Sequence, residues 1–334
     1  MSFGVYRYLL MTVDPVHIGT GGYRLGRVDL SIVREPGTRL PKIPGTSLSG
    51  AIRSYAAYRY GKPRCAGQGQ PKGGREEETG HCGRPTCPIC YTFGSVRGER
   101  AYSGVVSIGD ARILLFPVYS MAGPVWVSTE AILREVGFAM DKSGAHLTTM
   151  TWDKPLNLGW LMIEKPDGVK ITPPKEVEDK QEWKTIQNRI VLVSDKLFSQ
   201  IVNSNLEVRT SVSISPETGA AEEGALFTYE AIPRATFLWM DVVVDDYRGM
   251  FPSPELLKQW SQGKLPEEKK KRLQEAGWTD ADVAIALTKY HPEELGETAS
   301  KVITTGLEWA EHLGIGGMGT RGFGRIRKIA DWRC

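Results

Sequence analysis

The chain has 334 residues, 41% of them hydrophobic, so it can bury a substantial core as one large domain or as two. Its formal net charge of +3 is too small to mark a nucleic-acid binder by itself, so any basic surface has to come from local clustering. No apolar run approaches the roughly 18 residues of a membrane span, and Met1 to Met11 reads as a first strand, not a signal peptide, which predicts a cytoplasmic protein without a membrane partner.

Val5 to Val13 is β-branched and aromatic enough for that strand, and a turn-rich stretch from Asp14 to Gly22 follows. Pro41-Lys42-Ile43-Pro44-Gly45 then leads into a helix, with Thr46 or Ser47 as its cap and Leu48, Ile52 and Tyr55 at i, i+4 and i+7 on one face. Ser49, Arg53 and Arg59 fall on other faces. A helix start leaves amides free, so this one is expected to be ready for an anion.

From Gly61 to Gly98 the sequence is rich in Gly, Pro and charge, which marks an insertion with little core of its own and a need for a staple. Four of the five cysteines, Cys65, Cys82, Cys87 and Cys90, lie here, with His81 beside them as an alternative ligand. Clustered thiols in a reducing compartment suit a metal better than disulfides, and this spacing resembles structural zinc sites with no open position for catalysis.

Strand signals return at Val105 to Val118 and at Ala235 to Val244, with short strands and a helical piece around Ser194 to Val202 between them. Glu207 to Pro233 reads as a long β-hairpin: Val208, Thr210, Val212 and Ile214 alternate, Pro216-Glu217-Thr218-Gly219 turns, and Leu226 to Ile232 returns. Its small polar middle, Ala220 to Gly224, is expected at a projecting tip. Glu255 to Leu313 is mostly helical.

The chain then enters Gly314-Ile315-Gly316-Gly317-Met318-Gly319-Thr320-Arg321-Gly322-Phe323-Gly324-Arg325, with six glycines and two arginines. Gly314, Gly316 and Gly319 satisfy G-x-G-x-x-G, but a dinucleotide site needs a preceding strand, whereas a helical pattern precedes these glycines. Two readings stay open: a phosphate or nucleic-acid contact, or a helix C-cap and bare turn into a last strand, Gly324 to Ile329.

Taken together, His17-Ile18-Gly19-Thr20-Gly21, Gly26-Arg27-Val28-Asp29-Leu30, Pro41 to Arg53, and the Gly314 to Arg325 loop resemble the RAMP superfamily of CRISPR proteins. The likeness is nearest to the repeated backbone subunit of type III-B effector complexes, because the hairpin from Glu207 to Pro233 is similar to that subunit's thumb. The resemblance implies an α+β fold: a ferredoxin-like or RRM-like palm over residues 1–60, 99–205 and 234–334, a zinc-bearing insertion at 61–98, and a thumb at 206–233.

The implied partners are a CRISPR guide RNA, complementary target RNA, further copies of the chain stacked head to tail, and other RAMP subunits. Base pairing then carries sequence specificity. Lys42, Ser47, Ser49 and Arg53 match positions that hold the guide backbone, and Gly316, Gly317, Met318 and Arg321 match the loop that completes this floor. Glu217, Thr218, Glu222, Glu223 and Phe227 fall on the thumb. Asp29 matches an aspartate on which target cleavage depends, with Mg²⁺ or Mn²⁺ as the implied catalytic ion and attack by the target's own 2′-hydroxyl as the implied chemistry. His17 is a second catalytic candidate, since an unshifted imidazole suits proton transfer. Glu222, Glu223 and Glu230, on or near the thumb, read equally as candidates to assist the metal and as solvated hairpin charges. The competing functions are a purely structural RNA-binding module and a stand-alone endoribonuclease that processes CRISPR transcripts without a divalent ion.

Overall fold

The apolar residues of the first strand alternate in the direction they face, and this organises the molecule. In the computed structural model, which describes residues 3–21, 28–67, 80–97, 100–249, 251–289 and 298–334, the frame is strand β1 (Gly4–Thr12), helix α1 (Gly45–Arg59), β2 (Ala111–Ser120), β3 (Phe237–Val244), α2 (Thr298–Leu313) and β4 (Ile326–Arg333). The sheet order is β4-β1-β3-β2 with every neighbouring pair antiparallel, the connectivity of a ferredoxin-like unit. Beyond β2 the sheet continues through Gly123–Ser128 and then Ile190–Leu192, which pair in parallel and make the sheet mixed.

Period-two alternation gives the sheet two buried faces. Tyr8 and Leu10 of β1 and Leu238, Met240 and Val242 of β3 pack with Leu48 and Ile52 of α1 and Ile303 and Leu307 of α2. Leu9, Phe237, Trp239 and Ile329 face the other way, into a layer built from Leu133, Val136, Trp183 and Ile186. Leu48 and Ile52 are fully buried, and each such side chain contributes roughly 1.5–3 kcal/mol of transfer free energy. The two helices meet closely because a side chain at Gly306 of α2 would strike the carbonyl of Ile52.

Three local expectations change. α1 has Pro44 as N-cap with no side-chain cap bond, so Thr46 and Ser47 lie inside its first turn. The Gly45 amide is not free for an external anion: the Asp110 carboxylate accepts it at 2.7 Å. Asp110 comes from a break in the expected Val105 to Val118 strand, which is split into Val106–Ile108 and β2.

The hairpin pairs Glu207–Ile214 with Ala221–Ala231 in antiparallel register, with an irregularity between Val212 and Ile214. Its turn lies at Pro216 to Gly219, where Gly219 has φ +68° and Ser215 and Ala220 close the ends. The tip therefore precedes the Ala220 to Gly224 stretch, whose residues from Ala221 onward already belong to the returning strand. The side chains of Glu222 and Glu223 lie outside the described residues, as do Gly26 and Arg27.

The described part of the cysteine segment shares a core with its neighbours. Cys65, Cys87, Cys90, Ile89 and Tyr91 are buried with Phe251, Trp260 and Trp278 from the helical region that follows β3. Among the described residues no helix is long and apolar enough to cross a membrane.

Candidate nucleic-acid interface and metal centre

Asp29 is the exposed residue of a largely buried stretch laid against the hairpin base. Its Oδ2 accepts the Thr228 amide at 2.7 Å and the Thr228 hydroxyl at 2.8 Å. These bonds, the amide first and the hydroxyl second, hold the Asp29 carboxyl below the usual carboxylate range. The stretch is fixed on both sides: Leu30 N–H donates to Thr228 O at 3.0 Å, and Glu230 N–H donates to Leu30 O at 3.2 Å. Neither of the Thr228 bonds uses Oδ1 of Asp29.

Glu230 is neither a solvated charge nor a free metal ligand. It is buried, and its Oε1 accepts Ile32 N–H at 2.9 Å and Arg34 Nη1 at 2.7 Å while Oε2 accepts Arg34 Nη2 at 2.8 Å. A bidentate guanidinium and a backbone amide occupy both oxygens.

His17 is 5% exposed, and its Nδ1 lies 2.7 Å from the Glu230 carbonyl oxygen. A carbonyl only accepts, so this bond places a proton on Nδ1. The His17 carbonyl accepts Gly317 N–H at 3.0 Å. These contacts fix His17 between the hairpin and the glycine loop.

The glycine loop divides into two halves. Gly316, at φ +92°, sits where a Cβ would come within 2.6 Å of the His17 carbonyl oxygen and would also strike Ile18. Close packing, then, explains this glycine. From Met318 to Gly322 the loop turns outward, and Arg321 is exposed with its guanidinium 5.4 Å from the centroid of Phe227. Phe227 and Thr228 are consecutive on one strand and point to opposite faces. Asp29 lies along the strand edge at Thr228, where Leu30 bridges Tyr229 in parallel, and Arg321 lies against the neighbouring Phe227 ring.

The candidates on α1 and just before it behave differently. Lys42 Nζ lies 2.5 Å from Asp110 Oδ2, so its charge is already paired. Ser47 and Ser49 are half-buried on α1, and Arg53 follows Ser49 at i+4 on the same face. Arg53 turns toward the cysteine segment, where Nε donates to the Cys65 carbonyl at 2.8 Å, and burial pulls its pKa down. Tyr55 on α1 donates its hydroxyl to the Gly314 carbonyl, which ties this helix to the loop. On the hairpin turn, Glu217 is exposed and Thr218 donates its amide to Ser215 Oγ at 3.4 Å.

The four cysteines converge. Their sulfurs lie within 4.8 Å of one another, with separations of 3.6 Å for Cys82–Cys90, 3.8 Å for Cys65–Cys87 and 3.6 Å for Cys65–Cys90. A disulfide needs about 2.05 Å, whereas a tetrahedron with Zn–S bonds of about 2.3 Å has edges near 3.8 Å. The residues thus fit zinc. His81 points its Nδ1 at the Val96 amide, which donates to it at 3.0 Å, and His81 does not belong to the converging group.

Thr228, Arg34 and Asp110 were not singled out by their sequence context, and Glu230 was singled out only as a candidate to assist a metal. Their partners lie between 65 and 199 residues away in the chain, and no local pattern encodes such pairing.

A sheet backed by two helices, carrying a long hairpin whose base is gripped by a glycine loop, defines the class, and residues 9–327 match the model of the RAMP superfamily. The chain belongs to that superfamily. It is similar to the CRISPR system Cmr endoribonuclease Cmr4 of Pyrococcus furiosus, at 29% identity over 259 residues, 70% of this chain and 80% of the relative. A 52-residue segment is 49% identical to the CRISPR system Cms endoribonuclease Csm3 of Mycobacterium tuberculosis, covering 16% of this chain and 22% of that protein. Among solved structures, the cryo-EM structure of the type III-B Cmr-beta bound to cognate target RNA has a chain with TM-score 0.58 at 13% identity over 97% of both chains. The crystal structure of Cmr4 matches with TM-score 0.51 at 20% identity over 98% of both chains. These likenesses establish a shared fold.

Proposed function

We propose that this chain is a guide-RNA-binding backbone subunit of a type III CRISPR effector complex, and that it cleaves complementary target RNA. The observation that carries this reading is the seating of the Asp29 carboxylate on Thr228 at the base of the hairpin. It puts an exposed, ionised group where a projecting thumb would shape a bound duplex. Similarity to proteins named as CRISPR endoribonucleases supports the assignment.

The chemistry is attack of the target's 2′-hydroxyl oxygen on the adjacent phosphorus, which breaks the bond to the 5′-oxygen. The hydroxyl proton departs and the leaving oxygen gains one, giving a 2′,3′-cyclic phosphate and a 5′-hydroxyl. Asp29 Oδ1 would orient the hydroxyl or hold a hydrated Mg²⁺ or Mn²⁺, and such an ion would supply charge stabilisation at the phosphate. Thr228 keeps the carboxylate in place and ionised. His17 acts at one remove, holding the glycine loop to the hairpin. Zinc at the four cysteines is structural, and further copies of the chain and other RAMP subunits complete the complex.

The test is reconstitution with guide and target. Asp29→Ala is expected to bind target as the parent does and to lose divalent-ion-dependent cleavage. Cleavage at the parental rate would remove Asp29 from the mechanism, and a parent that binds but never cuts would favour the purely structural module. Cutting of guide precursor without a divalent ion would favour the processing endoribonuclease.

A further inference from the structure

The returning strand of the hairpin offers one backbone edge at Thr228, Glu230 and Ile232, and the partner changes along it. Leu30 pairs with the first part in parallel, donating its N–H to Thr228 O at 3.0 Å and accepting Glu230 N–H at 3.2 Å. Val16 takes the last part, exchanging two bonds of 2.9 Å with Ile232. A parallel ladder continued past Leu30 would join Ile32 N–H to Glu230 O and Ile32 O to Ile232 N–H. Both strand groups are already engaged: His17 Nδ1 lies 2.7 Å from Glu230 O, and Ile232 N–H donates to Val16 O.

Ile32 is buried, so its own N–H and C=O need other partners. The pair of Arg34 and Glu230 supplies both. Glu230 Oε1 accepts Ile32 N–H at 2.9 Å, and Arg34 Nη1 donates to Ile32 O at 3.1 Å, while the guanidinium grips the carboxylate at 2.7 and 2.8 Å. Arg34 is anchored in turn. Its Nε donates at 2.9 Å to Asn203 Oδ1 on the helix Asp195–Ser204, and Asn203 Nδ2 donates to Ser199 O at 2.8 Å and to Arg39 O at 3.2 Å. Two charged side chains stand in for the rungs that the ladder loses.

We propose that Arg34 is a positioning residue for Asp29: through Glu230 and Ile32 it seats residues 29–32 on the hairpin and so aims the Asp29 carboxylate. Its effect on cleavage rests on the function proposed above, whereas the seating rests on the bonds alone. The assignment keeps Glu230 out of the chemistry, because its carboxylate is spent on Arg34 and Ile32.

The test separates positioning from folding and from catalysis by Glu230. Arg34→Met keeps an apolar stem but leaves the Glu230 carboxylate buried without its counterion, so the carboxylate should leave Ile32 and the stretch should shift. Single-turnover cleavage in the reconstituted complex should fall on the order of a hundredfold, as for a displacement of about 1 Å, with target Kd within about twofold of the parent. Adding Glu230→Gln removes the unpaired charge and keeps an oxygen for Ile32 N–H, so the double variant should regain roughly tenfold. In the free chain labelled with ¹⁵N-threonine, the amide resonance of Thr228, which donates to Asp29, should move in Arg34→Met and return toward its parental position in the double variant. Asn203→Ala is the milder probe: it removes the anchor of Arg34 and leaves the ion pair, so cleavage should fall several-fold at parental target affinity.

Cleavage by Arg34→Met within about twofold of the parent would overturn the proposal, as would loss of cleavage and target binding together, the mark of a general collapse. A double variant no faster than Arg34→Met would overturn it too, because Glu230 would then belong to the chemistry. Should Arg34→Met fail to fold, Asn203→Ala decides: slower cleavage with a displaced Thr228 resonance supports the positioning role, and parental values overturn it. Should the parent cleave no target at all, the function proposed above fails, while the Thr228 resonance still decides whether Arg34 sets the Asp29 seat.

Discussion

The carboxylate of Asp29 is seated on Thr228, 199 residues later in the chain, through both the amide and the hydroxyl of that threonine. Donors aimed at a carboxylate favour its ionised form, so Asp29 titrates below the usual carboxylate value of 3.8. Its ionised state, and the stability that the two bonds contribute, persist above the unfolded value and are lost only as pH falls through the depressed folded one. Thr228→Val removes the hydroxyl and keeps the amide, so the Asp29 titration midpoint should rise while staying under the unfolded value. Carbon-detected NMR of the side-chain carboxyl would follow it. In the reconstituted complex the same variant should slow cleavage several-fold without weakening target binding, and an unchanged midpoint would show that the hydroxyl bond is absent in solution.

The cysteine centre gives a second expectation. Cys65, Cys87 and Cys90 are buried against Trp260 and Trp278, so a metal held by them would anchor a core shared by two segments. Purified protein should carry one zinc per chain, and Cys87→Ser with Cys90→Ser should reduce it to a trace. Because structural zinc contributes folding free energy directly, metal removal should lower Tm by roughly 5 °C or more. Equal melting with and without chelator would leave the thiols without a structural metal.

Much of this architecture is legible in the sequence because it is periodic or compositional. The apolar spacing of α1, the alternation of Val208, Thr210, Val212 and Ile214, and the four clustered cysteines each announce their element locally. What stays hidden is long-range pairing of polar groups. Nothing near Lys42 reveals that Asp110 neutralises it and occupies the start of α1, and nothing near Glu230 reveals Arg34. The glycine-rich loop was ambiguous for a physical reason. A glycine kept for a close approach and one kept for a bare surface look alike in sequence and separate only when the neighbours are in place.

That distinction yields a paired prediction. At Gly316 the backbone has φ +92° and a methyl would strike Ile18 and the His17 carbonyl, whereas Gly319 has nothing within 4 Å of an added Cβ. Gly316→Ala should cost about 2 kcal/mol or more through left-handed backbone strain and displacement of His17. Gly319→Ala should fall within about 0.5 kcal/mol of the parent. Chemical denaturation of the two variants makes the comparison, and equal losses would mean that the loop does not pack on His17 as described.

Arg321 and Lys42 are both cations expected at a nucleic-acid surface, yet the structure separates their roles. Arg321 is exposed, and its described contact is with the ring of Phe227, so its charge is available to a phosphate. Lys42 is held 2.5 Å from Asp110, whose other oxygen accepts the first amide of α1. Arg321→Ala should therefore weaken RNA binding for every sequence tested and reduce the salt slope by about 0.7, with melting nearly unchanged. Lys42→Ala should act mainly on the fold: Asp110 loses its counterion, the start of α1 loosens, and the melting temperature falls before the salt slope changes. Filter binding across a salt series together with thermal melts reads both variants. A full-sized slope change for Lys42→Ala at parental stability would show that RNA competes successfully with Asp110, and that Lys42 switches partner on binding.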